Sequence, residues 1–555
     1  MIPGLKRYKV SRYNLIRYVP FTLVILASIA CAITALFAPW TGWALVVLLP
    51  LAALGVFDLL QTSHSIKRIY PLVGQLRWAI EEVRPQIHQY LVEGDLEGQP
   101  FSRDQRSLAY QRAKDAVDVK PFGTEMDVYG DQFEWINHSI RTVPVVHEPF
   151  RIAIGGPQCK RPYSSSILNI SAMSFGSLGE RAIQALNLGA KRGNFAHDTG
   201  EGSISRYHLL HGGDLIWEIG SGYFGCRNPD GTFSAEKFRE NACRDQVKMI
   251  EIKLSQGAKP GHGGVLPGAK VTGEIAEARG VPVGETVISP ASHSAFSTPL
   301  ELLDFIAELR ELSGGKPVGF KLCVGHRWEF LAIVKAMLET DICPDFIVVD
   351  GKEGGTGAAP LEFTNRIGMP LRDGLIFVRN ALVGAGLRDR IRIGASGKII
   401  NGYHMAAALA LGADWCNSAR GFMFALGCIQ SQRCHTDQCP TGVTTQDPLR
   451  QHGLVVADKA PRVHNFHRNT VEALAEIIAA AGLERPGMLE PSHLCRRLGP
   501  NHWQTADNIY HFLKPGELLT EPDSSIYAQD WEIAQADSFA PVVVPDPSEG
   551  DRPEE

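Results

Sequence analysis

From about residue 165 onward, short apolar runs of β-strand character alternate with helical stretches. That alternation restricts the possible folds more than any other feature of the chain. The runs are 167–172, 250–254, 287–289, 318–322, 346–350 and 391–395, and helical patterns at 178–192, 299–312, 329–339 and 402–411 lie between them. Strand–helix alternation over ~280 residues implies a parallel sheet with crossover helices. Eight or so such units fit a (β/α)8 TIM barrel, whose functional groups gather at the C-terminal ends of the strands; an open doubly wound sheet is the alternative. One helix start is explicit. Thr298-Pro299-Leu300-Glu301 combines an N-cap, a first-turn proline and a capping-box glutamate.

Upstream of the alternation the chemistry is different. No charged residue occurs between Val19 and Phe57. A single helix over that stretch would be ~60 Å long, about twice the hydrocarbon core of a bilayer, so two spans fit and one does not. The turn-forming Pro39-Trp40-Thr41-Gly42 separates spans at about 20–38 and 42–60. Lys6, Arg7, Lys9, Arg12 and Arg17 precede the hairpin and Lys67 and Arg68 follow it. Both flanks are therefore expected in the cytoplasm, which puts the rest of the chain on the cytoplasmic side of the inner membrane. Ala30-Cys31-Ala32 resembles a signal-peptidase site, but a second apolar segment follows at once and favours an anchor.

The expected organisation is a membrane hairpin over 1–64, a helical and mixed preface over 65–160 and a barrel over 161–450. A helical extension follows over 451–520, and a Pro- and acid-rich tail over 521–555 is expected to be disordered. At 555 residues the chain has ample length for a buried core. A net charge of −5 argues against general nucleic-acid binding. Eleven scattered cysteines do not read as a secreted disulfide framework; they imply a reducing compartment and one cysteine-rich site.

Candidate chemistry sits at the ends of the β-like runs. Ser171-Ala172-Met173-Ser174-Phe175-Gly176-Ser177 offers small residues against which a flat ligand can lie, with Ser171, Met173 and Ser174 as candidate contacts. Thr199-Gly200-Glu201-Gly202 presents a carboxylate between two glycines. Gln256-Gly257-Ala258-Lys259-Pro260-Gly261 follows a strand, and Lys259 with the glycines suits an anion. Lys321 ends an otherwise apolar run, where a lysine is unusual without a partner, and would give a fixed positive charge. Three glycine-bearing loops follow late strands: Gly354-Gly355-Thr356-Gly357, Gly394-Ala395-Ser396-Gly397-Lys398 and Ser418-Ala419-Arg420-Gly421. Loops of that kind aim backbone N–H groups at phosphate. Each of these segments also has a plain reading as a β–α turn or solvated loop.

Cys428, Cys434 and Cys439, the last followed by Pro440, suit an iron–sulfur cluster or a metal ion. Zinc would need a fourth ligand such as His435.

Taken in order over 165–450, these motifs and the block Gly427-Cys428-Ile429…Cys434-His435…Cys439-Pro440-Thr441-Gly442-Val443-Thr444-Thr445-Gln446 resemble the synthase domain of glutamate synthase, in its stand-alone FMN-binding form. The resemblance implies a (β/α)8 barrel holding FMN, with a 3Fe-4S cluster on Cys428, Cys434 and Cys439. It implies reductive amination of 2-oxoglutarate to glutamate through 2-iminoglutarate. Lys321 would lie near the flavin N5 and the substrate, and Glu201 near the substrate and the ammonia path. Ser171, Met173, Ser174, Thr199 and Gln256 would contact the cofactor. Gly354, Gly355, Thr356, Gly357, Gly397, Arg420 and Gly421 would hold the FMN phosphate.

Two departures set further expectations. Residues 1–160 take the place of a glutaminase domain, so ammonia is expected from elsewhere. No Gly-x-Gly-x-x-Gly βαβ unit is present, so an electron-donor protein or carrier is expected. The stretch Cys323-Val324-Gly325-His326-Arg327-Trp328 differs from the family's usual small, acidic sequence. That difference keeps open a membrane-tethered FMN oxidoreductase acting on another 2-oxo or 2-amino acid, or a non-catalytic redox sensor.

Overall fold

A computed structural model describes residues 16–542. The basic flank Lys6 to Arg12 and the end of the tail, 543–555, lie outside the described residues. The chain divides into two compact units, Met1–Gly98 and Gln99–Glu555.

In the first unit, helix Val19–Ala35 turns at 36–38, and a 3-10 turn over Pro39–Ala44 leads into helix Leu45–Leu60. The turn therefore precedes Pro39 instead of spanning 39–42, because proline is accommodated at the first position of the returning helix. Pro39–Leu60 is long and apolar enough to cross a membrane; Val19–Ala35 is shorter. Gly55 packs on Phe21, and Leu23, Leu26, Ile33, Val46, Val47 and Phe57 are exposed. Asp58 is buried, and its carboxylate accepts from Leu72 N at 3.0 Å and Gln75 Nε2 at 2.6 Å.

The second unit is built on a closed barrel of eight parallel strands. These are β1 (Leu168–Ile170), β2 (His197–Asp198), β3 (Leu215–Ile219), β4 (Val247–Lys253), β5 (Val318–Leu322), β6 (Phe346–Asp350), β7 (Arg392–Ser396) and β8 (Trp415–Ser418). Each pairs with its neighbour in sequence, and β8 closes on β1. This is a TIM barrel. Its N-terminal end is plugged by the antiparallel pair Arg151–Ile154 and Tyr163–Ser166, whose Ile154 and Tyr163 pack with Ile216, Met249, Phe346, Val348 and Trp415.

Helix Pro299–Leu312 starts with both capping-box bonds at Thr298 and Glu301. The long helix Val456–Ala480 packs on helices Glu180–Gly193 and Arg103–Lys114, covering the seam where β8 meets β1.

Two expectations need correction. The run at 287–289 is not a barrel strand; Val287–Ile288 pairs antiparallel with Val265–Leu266 in a two-stranded ribbon within the long β4–β5 connection. The described part of the tail, 521–542, is folded onto the barrel. Helix Ala528–Ile533 lies on the barrel helix Arg327–Thr340, Tyr527 and Ala534 are buried, and Lys335 Nζ donates to Ala534 O at 2.8 Å. Apolar residues inside that polar sequence provide the anchorage.

Candidate functional site at the C-terminal face of the barrel

Side chains at i and i+2 on a barrel strand share a face. On β4 that alternation sends Glu251 and Lys253 inward, and on β3 and β5 it sends Glu218 and Lys321 inward. Lys321 reaches past β4 to pair with Glu218 on β3, and its Nζ lies 3.4 Å from Glu251 Oε1. All three side chains are buried. Burial works against the Lys321 charge, but Glu218, Glu251 and Asp198 outweigh it and hold the ammonium well above the ordinary lysine range. Lys321 is thus a fixed positive charge, satisfied from below by carboxylates.

Glu201 lies one layer higher, in the loop after β2. Its Oε1 is 3.2 Å from Lys253 Nζ. Burial pushes this carboxyl up, and Lys253, Arg279 and Lys259 more than reverse the effect, so it stays ionised. The seat is tight. A Cβ on Gly264 would stand 2.0 Å from Glu201 Oε1, so only glycine leaves room for the carboxylate there. Lys259 is buried, donates to Gly263 O at 2.7 Å, and is pushed by burial down to about 8 against the pull of Glu201. Arg279 Nη2, in helix Gly273–Arg279 of the β4–β5 connection, donates to Ser174 Oγ at 3.3 Å and Phe175 O at 3.2 Å, tying that connection to the β1 loop.

The remaining expected residues fall into two groups on the same face. On one side, Ser171 Oγ is 3.4 Å from Ser396 Oγ, and Met173 and Ser174 pack against Gly200 and Gly202. Thr199 is buried and its Oγ1 accepts from Glu218 N at 3.2 Å, so its hydroxyl is committed to the scaffold. Gln256 is half-buried beside Gly257, whose N–H donates to Asp350 Oδ2 at 2.8 Å.

On the other side are the β6, β7 and β8 loops. Arg420 Nη2 donates to Glu353 O at 3.1 Å, and a Cβ on Gly355 would stand 2.4 Å from that same nitrogen. Arg420 and Lys398 both lie over the buried Phe101 ring, at 5.2 and 5.8 Å. Neither makes an ion pair among the described residues. Burial lowers both pKa values, and for Lys398 the Arg420 charge adds to the effect. Glu353 acts on Lys398 and Asp350 on Arg420 without direct ion pairing, so two adjoining cations beside a glycine loop at the ends of β7 and β8 fit a phosphate. Gly397 and Gly421 flank this niche.

The cysteine loop borders it. A Cβ on Gly357 would stand 3.1 Å from Cys434 Cβ. Cys428 senses the charges of both Cys434 and Cys439, so the three thiols face one locality. They are not among the donor groups lying within 4.8 Å of one another, the closeness a single tetrahedral ion requires. The loop is pinned by Tyr110 Oη donating to Cys428 O at 2.6 Å and Thr445 Oγ1 donating to Asp437 O at 2.6 Å.

The sequence expectations omitted Asp198, Glu218, Glu251, Lys253 and Arg279 from the site and carried Lys398 only as the end of a glycine loop. A detectable signal existed for Glu218, Glu251 and Lys253: charged residues inside the apolar runs of β3 and β4.

The fold and its polar rim define a TIM-barrel protein that fits an anionic ligand over the C-terminal ends of its strands, with a thiol loop beside it. Residues 153–484 match the family model for the conserved region in glutamate synthase. The chain is 38% identical to the glutamate synthase large subunit-like protein YerD of Bacillus subtilis, over 81% of this chain and 93% of that protein. It is 34% identical to the archaeal glutamate synthase [NADPH] of Methanocaldococcus jannaschii, over 57% of this chain and 58% of that protein. It is 32% identical to the glutamate synthase [NADPH] large chain of Bacillus subtilis, over 63% of this chain and 22% of that one. The chain belongs to the glutamate synthase family.

Proposed function

We propose that the chain is a flavin-dependent glutamate synthase-like oxidoreductase that reductively aminates 2-oxoglutarate, through 2-iminoglutarate, to glutamate. The observation that carries this reading is the pair of adjoining cations, Arg420 and Lys398, neither in an ion pair among the described residues, beside Gly354–Gly357 on a family barrel. FMN would be held with its phosphate on that niche and its ring system towards Ser171, Met173, Ser174 and Gln256. When bound it supplies hydride to the imine carbon. The chain's own residues do the rest. Lys321 offsets negative charge that develops above it. Lys253, Lys259 and Arg279 attract an anionic 2-oxo acid, and Glu201 positions ammonia or exchanges its proton.

Cys428, Cys434 and Cys439 would hold a 3Fe-4S cluster that passes electrons in from a donor protein or carrier, and ammonia would be delivered from elsewhere. The apolar side chains exposed on the hairpin Val19–Leu60 support anchoring in the cytoplasmic membrane, with the barrel in the cytoplasm.

The stacked His326 and Trp328 rings, 4.0 Å apart after β5, favour one second reading: a related 2-oxo acid in place of 2-oxoglutarate. Full-length protein, chemically reduced and supplied with isotopically labelled ammonium and a panel of 2-oxo acids, tests both. Label appearing in glutamate supports the main reading, label in another amino acid supports the second, and no labelled product refutes the proposal.

A further inference from the structure

The carboxylates beneath Lys321 have a property that pairing with a lysine does not explain. Donor oxygens of Asp198, Glu218 and Glu251 lie within 4.8 Å of one another. Their exposures are 1%, 2% and 0%, and that of Lys321 is 4%. One ammonium thus faces three carboxyl groups in a space closed to solvent, with Asp350 acting on the group from the end of β6. If all three were ionised, two uncompensated negative charges would sit in the barrel interior. Burial of unpaired charge is prohibitive, and carboxylates this close resolve it by retaining protons.

The hydrogen bonds indicate where those protons reside. Glu218 is the direct partner of Lys321, and Glu218 together with the ammonium is neutral. Asp198 Oδ1 accepts from Gly200 N at 2.9 Å, which leaves its other oxygen for sharing. Both oxygens of Glu251 are buried with no hydrogen-bond partner, the 3.4 Å approach of Lys321 aside. A fully ionised carboxylate in that position would be doubly unsatisfied.

We propose that Asp198, Glu218 and Glu251 form a proton-storing carboxyl cluster that keeps at least one proton at neutral pH, shared between Asp198 and Glu251, and thereby fixes the charge and position of Lys321. The proposal deepens the reading of Lys321 given above, as it supplies the counter-charge that this reading needs. Burial and mutual repulsion raise the affinity of Asp198 and Glu251 for protons, opposed by Lys321, and the titration steps belong to the cluster as a whole. Asp198, Glu218 and Glu251 are positioning residues.

Infrared spectroscopy of the full-length protein tests this without reference to flavin. At pH 7 the wild type should show a protonated-carboxyl C=O band that moves on exchange into D2O. Glu251→Gln or Asp198→Asn should weaken or shift it, and the double variant should abolish it. Both substitutions mimic the protonated acid and so preserve the fold. Lys321→Met, which removes the compensating charge, should intensify the band. No such band at pH 7, or a band unchanged in both the double variant and Lys321→Met, would overturn the proposal. Loss of bound flavin with the band intact would count against the proposed function alone.

Discussion

Lys253 Nζ, at the end of β4, lies 3.2 Å from Glu201 Oε1, in the loop after β2. The pair links two strand ends across the barrel mouth. It also sets the local charge: with Glu201 neutralising one cation, Lys259 and Arg279 remain to give the mouth a positive balance. Glu201→Gln keeps the shape and removes the charge. Turnover of 2-oxo acid should fall on the order of 10²-fold, the usual loss for a proton-transfer group, with circular dichroism unchanged. Steady-state kinetics check this, and wild-type turnover in the variant would remove Glu201 from the chemistry.

Arg420→Ala tests the phosphate niche. A hydrogen bond to a charged group contributes about 1.5–3 kcal/mol, so flavin should be retained at least ~10-fold more weakly. Fluorescence of flavin released on dialysis measures this. Unchanged retention would contradict the placement of the phosphate between Arg420, Lys398 and Gly355.

Cys434→Ser should abolish an iron–sulfur signal in electron paramagnetic resonance and leave the thermal transition of the barrel in place, because the loop is pinned separately through Cys428 O and Asp437. Full retention of the signal would refute the ligand assignment.

Glu251 predicts a pH dependence of stability. Its carboxyl is raised from the ordinary 4.5 to about 7, first by burial, with Lys321 opposing and Glu218 adding. The folded state therefore binds the proton more tightly than the unfolded state. The resulting stabilisation is fully present below about pH 4.5 and is lost as pH rises through 7, on the order of 3 kcal/mol across that window. Glu251→Gln should flatten that part of the profile. Denaturant titrations at pH 5 and pH 8 read the difference, and parallel profiles for the two proteins would contradict it.

The barrel was legible in the sequence where its strands are apolar. β5 and β6 lie where Val318–Leu322 and Phe346–Asp350 suggest, and the capping box at Thr298 fixed one helix start. β2, β3 and β8 escaped notice for a physical reason. Strands that line a site carry polar residues: His197 and Asp198 in β2, Glu218 in β3, Asn417 in β8. These break the apolar signature that marks a buried strand. Lys321 was recognisable as out of place, yet its partners could not be named, because Glu218 and Glu251 lie 103 and 70 residues upstream and meet it only through the register of neighbouring strands. The order at 521–542 was hidden by a polar composition in which Tyr527 and Trp531 do the packing.

The most direct measurement is the visible absorption spectrum of anaerobic, dithionite-reduced full-length protein on addition of 2-oxoglutarate with ammonium. A flavin-dependent glutamate synthase should show the oxidised flavin bands returning with both compounds present and with neither alone. A colourless protein, or reduced flavin indifferent to the pair and to every other 2-oxo acid with ammonium, would contradict the assignment.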